Sequence, residues 1–220
     1  MINKTKSAFT LAEVLITLVI IGIVAALTVS AVINTYVERS TVSKVKKGLS
    51  TLAQAKKLAE AKNGSIEGWD LDAGVSAQNA AKIWGYIKPY LSVVKDCGSG
   101  TDCYQDNNIL FLNGNPETYS HNTDSRYYKF VLADGSVMWF RGSGGNESVL
   151  GVDNNNTYIA VFFYDVNGIK APNTLGKDIF LYVMNINGVY PSVANDCSKS
   201  SIGWGCSGYI IKHNNMNYLH

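Results

Sequence analysis

The stretch AFTLAEVLITLVIIGIVAALTVSAVI, residues 8–33, decides how the chain is read. From Val14 to Ile33 it runs without a charge, and Glu13 alone interrupts the wider apolar tract. At about 1.5 Å per residue, a helix of this length crosses the ~30 Å hydrocarbon core of a bilayer. A secretory signal peptide is the rival reading, because Lys4 and Lys6 give the tract a basic start. The apolar run exceeds the ~7–15 residues of a signal-peptide core, and no small-x-small site is followed by an obvious mature start. The tract passes instead into a helical pattern through Tyr36. It reads as a membrane segment.

Glu13 needs a physical account, because an unpaired carboxylate in the apolar end of a membrane helix is costly. Its own helix offers no partner within a turn. Cleavage just before Phe9 would create an amine four residues away, available to Glu13 of the same or a neighbouring subunit. The acid points to processing and assembly.

The run Lys6-Ser7-Ala8-Phe9-Thr10-Leu11-Ala12-Glu13-Val14-Leu15-Ile16 resembles the prepilin cleavage and methylation motif of type IV pilins and type II secretion pseudopilins. The resemblance implies a leader, residues 1–8, removed by prepilin peptidase between Ala8 and Phe9, then N-methylation of the new Phe9 amine. Glu13 would be the fifth residue of the mature chain and pair with the N-terminal amine of an adjacent subunit, neutralising two buried charges together. Implied partners are prepilin peptidase, other pilin or pseudopilin subunits and an inner-membrane assembly platform. The implied location is the bacterial inner membrane, single-pass with a periplasmic head, and then a filament. Two departures stand out. Ala8 takes the place usually held by Gly, which predicts slower cleavage. Ser30 lies where many pilins carry a helix-breaking Pro, leaving Gly22 as the soft point.

Beyond the membrane tract, Val42, Val45, Leu49, Leu52, Ala55 and Ala59 recur at three- and four-residue spacing, with Lys44, Lys46, Lys47, Lys56, Lys57 and Lys62 off that stripe. The helix is expected to continue to Asn63-Gly64, where Gly suits a C-cap, about 80 Å from its start. A coiled coil is the alternative. The domain expectation is a leader at 1–8, a membrane and assembly half-helix at 9–33, an amphipathic half-helix at 34–63, and a globular head at 64–220.

The whole chain has 19 Lys plus Arg against 17 Asp plus Glu, and 46% hydrophobic residues, which excludes disordered and collagenous compositions. Residues 34–63 carry 7 basic against 2 acidic residues, and residues 64–220 carry 10 against 14. A basic stem and an acidic head result. A solvated helix face, or one meeting acidic neighbours in a fibre, is preferred over nucleic acid as the meaning of the basic stretch. Counted naively, Arg39, Lys44, Lys46 and Lys47 against Lys4 and Lys6 would place the head in the cytoplasm. The prepilin resemblance and the cysteines overrule that count.

Four cysteines form two local pairs in polar, Gly-, Ser- or Asp-rich loops. Of the three connectivities, Cys97–Cys103 and Cys197–Cys206 are favoured, each closing a short surface loop in an oxidising compartment. Zinc is the rival, disfavoured because zinc ribbons place their cysteines about two to four residues apart.

The head reads as one or two short helices in Ala77–Val94, broken near Pro89, followed by antiparallel strands. Tyr127–Leu132 and Val137–Arg141 flank a hairpin signal at Ala133-Asp134-Gly135-Ser136; Tyr158–Tyr164, Ile179–Met184 and Tyr209–Lys212 are further strand candidates. Gly142–Asn156 reads as an exposed loop. The expected class is α+β, a pilin-like long helix packed on an antiparallel sheet.

The segment Asp165–Asp178 invites a calcium reading, with Asp165, Asn167 and Asp178 as oxygen ligands, and some secretion pseudopilins bind calcium in a C-terminal loop. The EF-hand pattern fails, since its last Glu is missing and Lys170 sits among the ligands. A turn in which Asp and Asn cap backbone amides is preferred. No other cofactor is expected. The only histidines, His121, His213 and His220, lie in no nucleophile motif, and no GxSxG, HExxH or P-loop occurs. The leading expectation is a non-enzymatic structural subunit of a pilus or pseudopilus. The alternatives are a minor tip pilin binding DNA or a surface, and an anchored periplasmic binding protein or enzyme that never polymerises.

Overall fold

A computed structural model describes residues 9–72, 74–103, 109–119, 121–142, 158–168, 170–194 and 196–220. Helix α1 runs unbroken over Leu11–Asn63, through both Gly22 and position 30. The chain divides into two compact units, Met1–Ser40 and Thr41–His220.

In the first unit every described side chain from Phe9 to Val37 is exposed, including Leu15, Ile21 and Leu27. By length and composition this part of α1 is apolar enough to cross a membrane. Its few hydroxyls turn inward to the helix: Thr17 Oγ1 donates to the Val14 carbonyl and Thr28 Oγ1 to that of Val24, both at 2.9 Å. In hydrocarbon such a bond removes the cost of an unsatisfied hydroxyl.

The second unit holds the outer half of α1, the sheet and two further helices. Helix α2 (Ala77–Ile87) starts where Ser76 Oγ accepts the Asn79 amide at 3.0 Å, and passes into a 3-10 turn, Lys88–Tyr90, that contains Pro89. Among the described residues, six antiparallel strands follow in simple sequence order: β1 (Val93–Gly98), β2 (Tyr128–Leu132), β3 (Val137–Gly142), β4 (Tyr158–Asp165), β5 (Ile179–Asn185) and β6 (Gly188–Pro191). Helix α3 (Cys206–His213) lies near the C-terminus. The class is α+β, a long N-terminal helix followed by an antiparallel sheet.

Period-two alternation sorts the strands into two cores. Phe130, Phe140, Phe162, Tyr164, Phe180 and Tyr182 join Val45, Leu52, Ala55 and Ala59 of α1 with Ile83 and Ile87 of α2. Trp139, Phe163, Leu181 and Val183 form the opposite core, closed by Ile109, Leu175 and Ala194. Strand β5 is buried at all seven positions because both faces are covered. The helical stripe is thus core: of its six residues only Leu49 is half-buried rather than buried. Gly48 sits where α1 approaches β4 so closely that a Cβ would lie 2.7 Å from the Tyr164 ring. Tyr182 Oη donates to the Val45 carbonyl at 2.7 Å.

Several expectations need correction. Four stem lysines do not simply face water. Lys44 donates to the Val166 carbonyl (2.9 Å), Lys46 to Asn214 Oδ1 (2.6 Å) and Lys47 to Asp134 (2.7 Å). Lys56, only 3% exposed, pairs with Glu60 and reaches the Ile186 carbonyl. A charged head on a long apolar stem lets a lysine bury its methylenes and still meet a carbonyl. Tyr209–Lys212 is part of a helix, not a strand. Gly208 packs against the Ser192 carbonyl, and Asn214 caps the helix in the left-handed conformation at φ 57°, so tertiary packing overrides β propensity. Strand β1 begins at Val93 and Val94, the last two residues of the stretch expected to be helical, and its mostly exposed pattern gives no strand signal, while β6 has none because it is four residues long. Apart from Gly142, the Gly142–Asn156 loop lies outside the described residues.

Candidate functional site

The residues with a chemical assignment lie at the start of the chain. Ala8 lies outside the described residues. Phe9 is 87% exposed and precedes α1, and Glu13 stands in the first helical turn. Glu13 is not without a partner in its own chain, contrary to the expectation above. Its Oε2 accepts the Thr10 amide at 2.8 Å and the Thr10 hydroxyl at 2.7 Å, while the Glu13 amide donates to Thr10 Oγ1 at 3.3 Å. This is a reciprocal capping box, which satisfies orphan amides and places a carboxylate at the positive end of the helix dipole. The sequence carries the signal for it, Thr10-x-x-Glu13 immediately before an apolar run.

All four cysteines are in disulfides: Cys97–Cys103 with Cα atoms 5.8 Å apart and Cys197–Cys206 with 5.0 Å. The second is not a surface clasp. Cys206 is fully buried and Cys197 9% exposed, in the same core as α1. Among the described residues no cluster of three or more His, Cys, Asp or Glu could hold a metal.

Asp165, Asn167 and Asp178 do come together. Asp178 Oδ1 accepts the Thr174 amide (2.6 Å), and its Oδ2 accepts the Asn173 amide (2.9 Å) and Asn167 Nδ2 (3.1 Å). Asp165 Oδ1 accepts the Asn167 amide at 3.0 Å. Their oxygens therefore organise a turn by capping backbone amides. Burial, with the Asp178 charge adding to it, pushes the Asp165 carboxyl up to about 8. Burial also raises Asp178, against the hydrogen bonds from Thr174, Asn173 and Asn167.

Two buried groups were missed. His121 Nε2 lies 2.6 Å from Glu117 Oε2, both side chains nearly inaccessible, in a short contact not aligned as a hydrogen bond. The rings of Tyr127, Trp139 and Phe163 surround the imidazole. The pair pins the segment before β2 to the sheet. Lys129, 1% exposed, donates to the Tyr127 carbonyl at 3.1 Å, and burial lowers its pKa. Neither has a sequence signature, since burial of a polar residue is decided by the fold. A groove of about 500 Å³ lies between Lys47, Thr51 and Leu58 of α1 and the Leu132–Asp134 turn, with the Lys47–Asp134 ion pair in its wall.

A long helix with an apolar first half, followed by an antiparallel sheet, defines a pilin-like class of architecture. Within it, the family model "Prokaryotic N-terminal methylation motif" matches residues 3–29. The chain thus carries the type IV pilin and pseudopilin signature. No curated protein and no solved structure matches the chain.

Proposed function

We propose that the chain is a structural subunit of a type IV pilus or a type II secretion pseudopilus, anchored in the bacterial inner membrane and polymerised through the apolar half of α1. The observation that carries this reading is the methylation motif over residues 3–29, with Glu13 five residues into the chain that begins at Phe9. Prepilin peptidase cuts between Ala8 and Phe9, and the methylated Phe9 amine of one subunit meets Glu13 of the next. In the separate chain Thr10 holds that carboxylate, so assembly exchanges neutral donors for a cationic one, a stronger partner in a low-dielectric setting. The head faces the periplasm, where both disulfides form.

Intact mass of the protein from its host's membranes tests processing. The expected species begins at methylated Phe9 and lacks the hydrogens lost in two disulfides; a chain still beginning at Met1 overturns the reading. Glu13→Ala tests assembly. Incorporation into filaments, read by shearing and immunoblotting, is expected to collapse while the head folds normally. Unchanged incorporation overturns the pairing role of Glu13, and absence of the wild-type protein from the sheared filaments points to an anchored protein that does not polymerise.

A further inference from the structure

Five steps in the sequence place glycine after Asn or Asp: Asn63-Gly64, Asn113-Gly114, Asp134-Gly135, Asn167-Gly168 and Asn187-Gly188. These are chemically weak points, because glycine has no side chain to hinder its own nitrogen. On losing its proton to hydroxide, that nitrogen attacks the Asn Cγ. The bond from Cγ to the carboxamide nitrogen breaks, ammonia leaves, and water opens the resulting succinimide to aspartate or isoaspartate.

In this fold each of the five glycine N–H groups already has an acceptor. Gly64, Gly114 and Gly135 donate to the carbonyls of Glu60, Phe111 and Leu132, each at 2.9 Å. Gly168 donates to the Asp165 carboxyl, and Gly188 to Asn185 Oδ1 at 3.0 Å. A bonded N–H must first open before base can take its proton, the same gate that slows amide hydrogen exchange.

The last two steps share a local pattern, Asx-x-Asn-Gly: Asp165-Val166-Asn167-Gly168 leaving β4 and Asn185-Ile186-Asn187-Gly188 leaving β5. In both, the first residue is fully buried and one of its oxygens takes the amides of the Asn and the Gly. Two N–H donors converging on one atom require that atom of Asn185 to be the oxygen. The two turns differ in exposure. Asn167 is half-buried, whereas Asn187 is exposed and within reach of water and base.

We propose that Asn185 is a guard residue whose carboxamide oxygen holds the Gly188 nitrogen and suppresses succinimide formation at Asn187, the latent modification site of the head. Asn185 is a positioning residue here, acting through Gly188.

The test uses the full chain in detergent, incubated at alkaline pH, with peptide mapping of amide-to-acid conversion and isoaspartate at all four Asn-Gly steps. Native wild-type protein is expected to convert Asn187 far more slowly than the urea-denatured chain. Asn185→Ala is expected to accelerate conversion at Asn187 about tenfold, the rate equivalent of one hydrogen bond, and to leave Asn63, Asn113 and Asn167 unchanged. Asn185→Asp keeps an acceptor oxygen in place and should restore the slow rate. Equal native and denatured rates at Asn187 overturn the proposal. So does an Asn185→Ala effect that is absent or spread over all four steps, because the latter reports loosening of the whole head.

Discussion

Asp165 carries a charge problem that makes the head's stability depend on pH. Its carboxyl is fully buried near Asp178, and Lys44 on α1 offers only partial compensation. The folded-state value of about 8 lies above the ~3.9 of an unfolded Asp, so the native state holds a proton that the unfolded chain has lost. The contribution is fully present below about pH 4 and is lost as pH rises to about 8. Asp165→Asn keeps the acceptor oxygen and removes the titration. The melting temperature of the variant relative to wild type is therefore expected to climb from pH 5 to pH 8.5. Parallel curves would show that the carboxyl is ionised throughout. Reading the difference between the two proteins cancels the opposite slopes of Asp96 and Asp134. Burial opposes both of those shifts, but bonds from Lys88 and Trp84 to Asp96, and from Lys47 and Ser136 to Asp134, hold their carboxyls low.

Among the elements, α3 owes its place to several distinct constraints. The Cys197–Cys206 disulfide ties its first residue into the core. Ser207 Oγ donates to the Leu181 carbonyl at 2.6 Å, and the Gly208 amide donates to the Ser192 carbonyl at 2.9 Å. Replacing Cys197 and Cys206 together by Ser removes a cross-link and leaves two hydroxyls in an apolar setting. The expected cost is about 3–4 kcal/mol. Replacing Cys97 and Cys103 removes a cross-link of similar span between edge strand β1 and the loop after it, with Cys103 buried but neither cysteine part of the two cores, and is expected to cost less, about 2 kcal/mol. Denaturant unfolding of the two variants checks the order. Equal losses would mean that burial of Cys206 adds nothing to the link itself.

For the molecule as a whole, stability is expected to reside in the unit that begins at Thr41. Its two cores lie on opposite faces of one sheet, and the outer half of α1 supplies Val45, Leu52, Ala55 and Ala59 to one of them. A chain beginning at Tyr36 keeps all of these residues and drops the exposed apolar tract. It is expected to be soluble without detergent, to melt cooperatively, and to show the helix-plus-sheet circular dichroism of the head. Loss of cooperativity would mean that the first unit is needed to hold the second together.

What could be read from the sequence alone was local. The apolar tract, the methylation motif, the amphipathic stripe, the helix end at Gly64, the Pro89 break and the β2–β3 hairpin each depend on neighbours within a few residues, where periodicity and turn chemistry act. The positions of Glu13 and of the cysteine pairs were equally plain. What the tertiary structure decided was everything set by residues distant in sequence. It made α3 from a stretch with strand-like composition, found β1 and β6 at the edges, drew Lys44 and Lys56 of the stem onto carbonyls of the head, and buried Cys206, His121, Lys129 and Asp165. The physical reason is that burial is a property of three-dimensional packing. A charge or a hydroxyl accepts an interior place only when a partner from elsewhere in the chain meets it there.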